Sequence, residues 1–172
     1  MSAQPGDVLF VSQRDWTAFF IKLAQRFKYH GSPAARFNHV ALITDDFGGL
    51  VQANQSGVER GNLSGYKGQD IEIRRPPYGP VGNLSNGESA NAVLAMHELL
   101  GDSYGWIAIA CVALTLLTGT RLRFGVQNTL ICSGAVSFAL TRANVDVGDD
   151  SDWNSPADLM AIAIAGNWMV VS

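Results

Sequence analysis

Residues Phe37 to Thr44 read FNHVALIT, an apolar run of strand length interrupted by a single histidine. Such a run, bounded by turn formers, predicts a strand, and the turn follows at once in Asp45 to Gly49, DDFGG. The chain then resumes as LVQAN from Leu50 to Asn54, a second strand returning beside the first, with a short extended piece around Val58. Alternation along a strand puts His39 on the face of Ala41 and Ile43, which points inward if the strand lines a core or cleft. A histidine there is either a satisfied core residue or a functional one, and its partners decide which.

Outward from this hairpin the pattern stays mixed. DVLFV from Asp7 to Val11 follows Pro5-Gly6 and predicts a first strand. Trp16, Phe19, Phe20, Leu23 and Phe27 recur at helical period, predicting a helix over about 14 to 28 with Ser12 and Asp15 as a weak capping box. Ile71 to Arg74 alternates as a further strand, and Arg74-Arg75 before Pro76-Pro77 reads as a solvated loop edge. Residues 76 to 87 form a proline- and glycine-rich loop. Helical segments are expected at about 88 to 100, 104 to 118 and 132 to 142. Ser155-Pro156 opens a last helix, with serine as cap and proline at the first position, and WMVVS closes the chain as a strand. The expected class is α+β: a small antiparallel sheet or partial barrel packed against helices, in one domain over residues 1–172.

Composition narrows the function. The chain has 172 residues, 47% hydrophobic and only 16% charged, which excludes intrinsic disorder. A net charge of −3 argues against a nucleic-acid partner, since phosphate binding takes a concentrated basic face. Two cysteines, Cys111 and Cys132, are too few for a disulfide scaffold or a structural zinc site, and His30, His39 and His97 lack metal-ligand spacing. No metal or other cofactor is expected. Met1 is followed by the polar run SAQPGD, with no signal-peptide pattern before the first apolar segment, so a cytoplasmic setting with a reduced thiol is expected. The apolar stretch from Gly105 to Gly119 falls short of the roughly 20 residues of a membrane span. It fits a buried core helix and equally a helix close to a lipid or membrane-proximal substrate. Nothing in the chain specifies an oligomeric state.

The chemistry concentrates on Cys132, in LICSGAVSFAL, where a strand-like lead-in meets a helix. A thiol on the first turn of a helix faces unpaired N–H groups and the positive end of the macrodipole, which together favour the thiolate. Its own backbone N–H can serve an oxyanion, and Gly134 and Ala135 leave room for a substrate. Against this stands simple packing, the reading that suits mid-helix Cys111. A neutral imidazole within reach, His39, can take the thiol proton and later protonate a leaving group. A third group must then hold the ring. Gln52 and Asn54 share a strand face and both qualify. Glu59, Asp45 and Asp46 are carboxylates that could take the role instead.

The order of these pieces resembles a known family. Gly6-Asp7 near the start, NHVALI around His39, LVQANQSGV after one hairpin and ICS at a helix head are similar to the circularly permuted branch of the NlpC-like papain-fold cysteine hydrolases. That branch includes YiiX- and YaeF-like proteins and lecithin:retinol acyltransferase. SYGWIAI from Ser103 and SPADLM from Ser155 resemble two further elements of it. The resemblance implies a permuted papain-like fold, with histidine before cysteine in the chain. It implies Cys132 as nucleophile, His39 as base and Gln52 as the third polar residue, where many relatives carry glutamate. Ser133-Gly134 also departs from the frequent Ser-Glu. The implied activity is hydrolysis of an amide or ester by an acyl-enzyme route, on a small peptide, amino-acyl or acyl substrate, with cell-wall peptide as one candidate. Lipid-directed acyl transfer or thioester hydrolysis, and a non-catalytic module that keeps the fold, are the alternatives.

Overall fold

The computed structural model describes residues 2–13, 29, 32–77, 86–104, 129–130, 132–148 and 154–171. The helix expected over about 14 to 28, most of that over 104 to 118, and with them His30 and Cys111, lie outside the described residues.

Six strands form one antiparallel sheet: β1 (Val8–Ser12), β2 (His39–Ile43), β3 (Gly49–Asn54), β4 (Gly57–Asn62), β5 (Asp70–Arg75) and β8 (Met169–Val171), in the order β4-β3-β2-β1-β5-β8. Two short strands, β6 (Ser103–Tyr104) and β7 (Thr129–Leu130), pair in parallel apart from it. The described helices are α1 (Asn86–Glu98), α2 (Cys132–Arg142) and α3 (Pro156–Ala165). The class is α+β, as expected.

The two continuous apolar runs are the two central strands. VLFV of β1 and all of HVALI in β2 are buried. Burial on both faces is what removes polar alternation from a strand. Alternate residues serve two cores. Val8, Phe10, Val40 and Leu42 face the helices and join Met96, Leu140 and Leu159. Leu9, Val11, Ala41 and Leu50 point the other way, where Tyr66 covers them. Small residues on the buried face of α2, including Ala135, Val136 and Ala139, let that helix sit close on β2 and β3.

The β2–β3 reversal is an Asx turn, with Asp45 Oδ1 accepting from the N–H groups of Phe47 and Gly49, both at 2.8 Å. β4 runs from Gly57 to Asn62, longer than the extended piece expected around Val58. It starts at a glycine with φ +118°, where a Cβ would stand 2.6 Å from the carbonyl oxygen of Asp102. That carbonyl accepts the Val58 N–H at 2.9 Å and ties β4 to the segment entering β6.

Arg74 and Arg75 correct an expectation. They belong to β5, and Arg75 is buried in a two-point ion pair with Asp7, Nε to Oδ1 at 2.7 Å and Nη2 to Oδ2 at 2.8 Å. Arg74 is partnered by Glu72 at 2.6 Å. The carboxylates lie in strands β1 and β5 or just before them, so the pair reads as a loop edge only until the sheet is assembled.

Ser155 caps α3 in a full capping box: its Oγ accepts from Asp158 N at 3.2 Å while Asp158 Oδ2 accepts from Ser155 N at 2.9 Å. Ser155→Ala is expected to cost about 1 kcal/mol, read as a lower urea midpoint at unchanged slope.

Candidate active site

His39 opens β2 opposite Val11 of β1. Its position is pinned by the preceding residue: Asn38 Oδ1 accepts from Gln13 N at 2.8 Å, and Asn38 Nδ2 donates to Gln13 O at 3.0 Å. Gln52 of β3 stands opposite Ala41, and Glu59 of β4 stands opposite Gln52. Directly paired residues project to one face, so His39, Gln52 and Glu59 share the face covered by Tyr66.

On that face Gln52 is the residue on the ring. His39 Nε2 and Gln52 Oε1 are 2.9 Å apart. The Tyr66 hydroxyl donates to the same Gln52 oxygen. An amide oxygen only accepts, so His39 carries its proton on Nε2 and Nδ1 is the nitrogen able to take one up. Asn54 does not share the role: its Oδ1 accepts from Ser56 N at 2.9 Å and its amide nitrogen donates to Glu59. Asp45 is engaged in the hairpin turn.

Cys132 is the first residue of α2, fed by β7. The backbone N–H groups of Val40, Ser133 and Cys132 itself lie near its sulfur and favour the thiolate. Val40 is the neighbour of His39 in β2, so the thiol lies beside the histidine's own strand. The Ser133 hydroxyl is buried with no hydrogen-bond partner among the described residues, and it too favours the thiolate.

The net effect nevertheless differs from the expectation that a helix start yields a thiolate. Burial pushes the Cys132 thiol up from its ordinary value, and outweighs those N–H and hydroxyl groups. Only 3% of Cys132 and 4% of His39 is exposed. The resting site therefore holds a neutral thiol surrounded by donors that await charge.

Tyr66 is the site residue that the sequence reading missed. It ends a 3-10 turn, Leu63–Tyr66, capped by Asn62, and its ring stacks on His39 with centroids 6.2 Å apart at 29°. The one signal for it is an isolated aromatic in the polar, glycine-rich stretch GNLSGYKGQD from Gly61 to Asp70. Burial first, then the charges of Cys132 and Glu59, push its phenol up to about 12. It stays a donor to Gln52 across the neutral range.

That shift has a sign. Between 10.0 and about 12 the folded protein keeps a proton that the unfolded chain releases. The stabilisation is full below the lower value and is lost as pH rises through the upper one. Tyr66→Phe is expected to flatten the alkaline fall in urea midpoint over that window.

Among the described residues no group of three or more His, Cys, Asp or Glu side chains is placed to hold a metal ion, and no helix is long and apolar enough to cross a membrane. The site's side chains are one imidazole, one thiol, amides, a phenol and a carboxylate, a set suited to proton transfer and nucleophilic attack. No protein-family model matches the chain, and no curated protein matches it. Among solved structures it is similar to the crystal structure of metalloprotein yiiX from Escherichia coli O157:H7, at 15% identity and a TM-score of 0.54, over 100% of this chain and 98% of that one. At that identity the likeness is one of fold: the chain has an α+β fold like that of yiiX, consistent with a papain-like layout.

Proposed function

We propose that the protein is a cysteine hydrolase of the permuted papain-like, NlpC-like kind, cleaving an amide or ester through an acyl-enzyme on Cys132. The observation that carries this reading is the placing of thiol and base on neighbouring positions of one strand. The Val40 N–H lies near Cys132 Sγ and favours its thiolate, and the adjacent His39 is held by Gln52 at 2.9 Å.

In the proposed cycle the thiol proton passes to His39 Nδ1 as sulfur attacks the substrate carbonyl carbon. The Cys132 and Ser133 N–H groups at the start of α2 face the charge that develops there. The tetrahedral adduct collapses, the carbon–nitrogen or carbon–oxygen bond breaks, and His39 returns its proton to the leaving amine or alcohol. Water, deprotonated by the same nitrogen, then hydrolyses the thioester and frees the acid and the thiol. A thiol held neutral by burial fits general-base activation during attack better than a standing ion pair. Gln52 holds the ring through each transfer but stabilises imidazolium less than a carboxylate would.

The substrate class follows the resemblance: a small peptide or amino-acyl amide, with acyl esters second. A panel of acyl amides and esters, read against Cys132→Ala, tests the reading. Turnover that survives the substitution overturns it. The 3% exposure of Cys132 favours a second reading, a module that keeps the fold and binds without turnover. Binding of a panel member with no product release selects it.

A further inference from the structure

Gln52 is a neutral amide where the resembled family often carries glutamate, yet a carboxylate stands one strand away. Glu59 is registered directly opposite Gln52 across β3 and β4. Its Oε1 accepts from Gln52 Nε2 at 3.5 Å and from the Asn54 amide nitrogen. A carboxylate has no proton to donate, so only the nitrogen of the Gln52 amide can face it. The amide oxygen is thereby turned the opposite way, to His39 and Tyr66, both of which present donors. The side chains thus form a chain of consistent polarity: imidazole N–H to amide oxygen, amide N–H to carboxylate.

We propose that Glu59 is a positioning residue of this site, fixing the Gln52 amide so that its oxygen receives the His39 proton and supplying, through that amide, the negative charge that Gln52 lacks. It rests on the cysteine-hydrolase reading, in which His39 becomes cationic as Cys132 gives up its proton. Gln52 from β3 meets the His39 ring through its amide oxygen, and Tyr66 from the turn after β4 stacks on it. Both are neutral groups, and the carboxylate that Gln52 connects to the ring is that of Glu59. Cooperative polarisation along hydrogen-bonded chains is strongest away from water, and Glu59 and Gln52 are both half-buried.

The test is an NMR titration of the His39 ring in the full chain, with the resonance assigned by its loss in His39→Ala, alongside the pH dependence of Cys132 alkylation by iodoacetamide. Glu59→Gln, close to isosteric, is expected to lower the ring's pKa by about half a unit or more, because an opposite charge nearby favours the charged form. Glu59→Asp should restore part of the shift. Asn54→Ala, which removes Glu59's other partner along with the acceptor of Ser56 N, should leave the ring where it is. The exchange variant, Gln52→Glu with Glu59→Gln, puts the carboxylate directly on the ring and should return its pKa to the starting value or above. An unmoved ring in Glu59→Gln, an equal shift in Asn54→Ala, or an exchange variant no higher than Glu59→Gln alone overturns the proposal. The hydrolase reading fails separately: it is lost if His39→Ala leaves the alkylation profile unchanged, whatever Glu59 does.

Discussion

Cys132→Ala is expected to lower turnover of any amide or ester substrate by about ten-thousandfold or more, since it removes the only atom that forms the acyl bond. His39→Ala should cost about a thousandfold, the range of a lost general acid–base group. The two losses should not add. Once sulfur is gone there is no proton for His39 to move, so the double variant should match Cys132→Ala. Gln52→Ala leaves both reacting groups and frees the ring, together with Tyr66 and Glu59. It is expected to cost about tenfold to a hundredfold, mostly in kcat, as a misoriented base does. Initial rates at saturating and limiting substrate separate these cases. Because α2 begins at Cys132 and its side chain is buried, each variant's melting temperature should be measured beside its rate.

Asp7→Ala is expected to be the most damaging single change to stability outside the hydrophobic core. Asp7 is 1% exposed and holds Arg75 at two points, and its Oδ2 also accepts the N–H of Gln4 at 2.9 Å. Removing it leaves a guanidinium buried in β5 without its counter-charge. Such a break costs about 3–5 kcal/mol, which for a chain of this size lowers the melting temperature by roughly 10 °C. Most of that cost belongs to the stranded charge rather than to the attraction lost. The double variant Asp7→Ala with Arg75→Met should therefore recover much of it. Calorimetry on the two variants checks both statements, and a double variant as unstable as the single one would show that the pair itself carries the energy.

The sequence carried the parts of the fold whose cause is local. VLFV and HVALI are apolar runs of strand length, and both are buried strands. Ser155 as cap with Pro156 at the first helical position is read in sequence and holds in space, where Asp158 completes a capping box. Cys132 as the head of a helix was legible from the change of pattern at that point. What was hidden depends on partners distant in the chain. GVERGN of β4 has two glycines and little β propensity, and becomes a strand because β3 pairs with it. Arg75 looks solvated until Asp7, 68 residues away, is brought against it. Tyr66 reaches His39 only through the turn that follows β4. Spacing left Gln52 and Asn54 equal, and the structure separates them by where their amides bond. The thiol's direction of shift was read wrongly because helix-start donors are visible in sequence and the depth of burial is not.

The central claim is a covalent bond to Cys132 made with the help of His39. The most direct measurement is intact and peptide mass spectrometry of the full chain, mixed with a p-nitrophenyl acyl ester and quenched in acid within the first turnovers. The account predicts one acyl mass on the peptide containing Cys132, absent in Cys132→Ala and formed far more slowly in His39→Ala. No adduct at Cys132, or an adduct that forms as fast without His39, would contradict it.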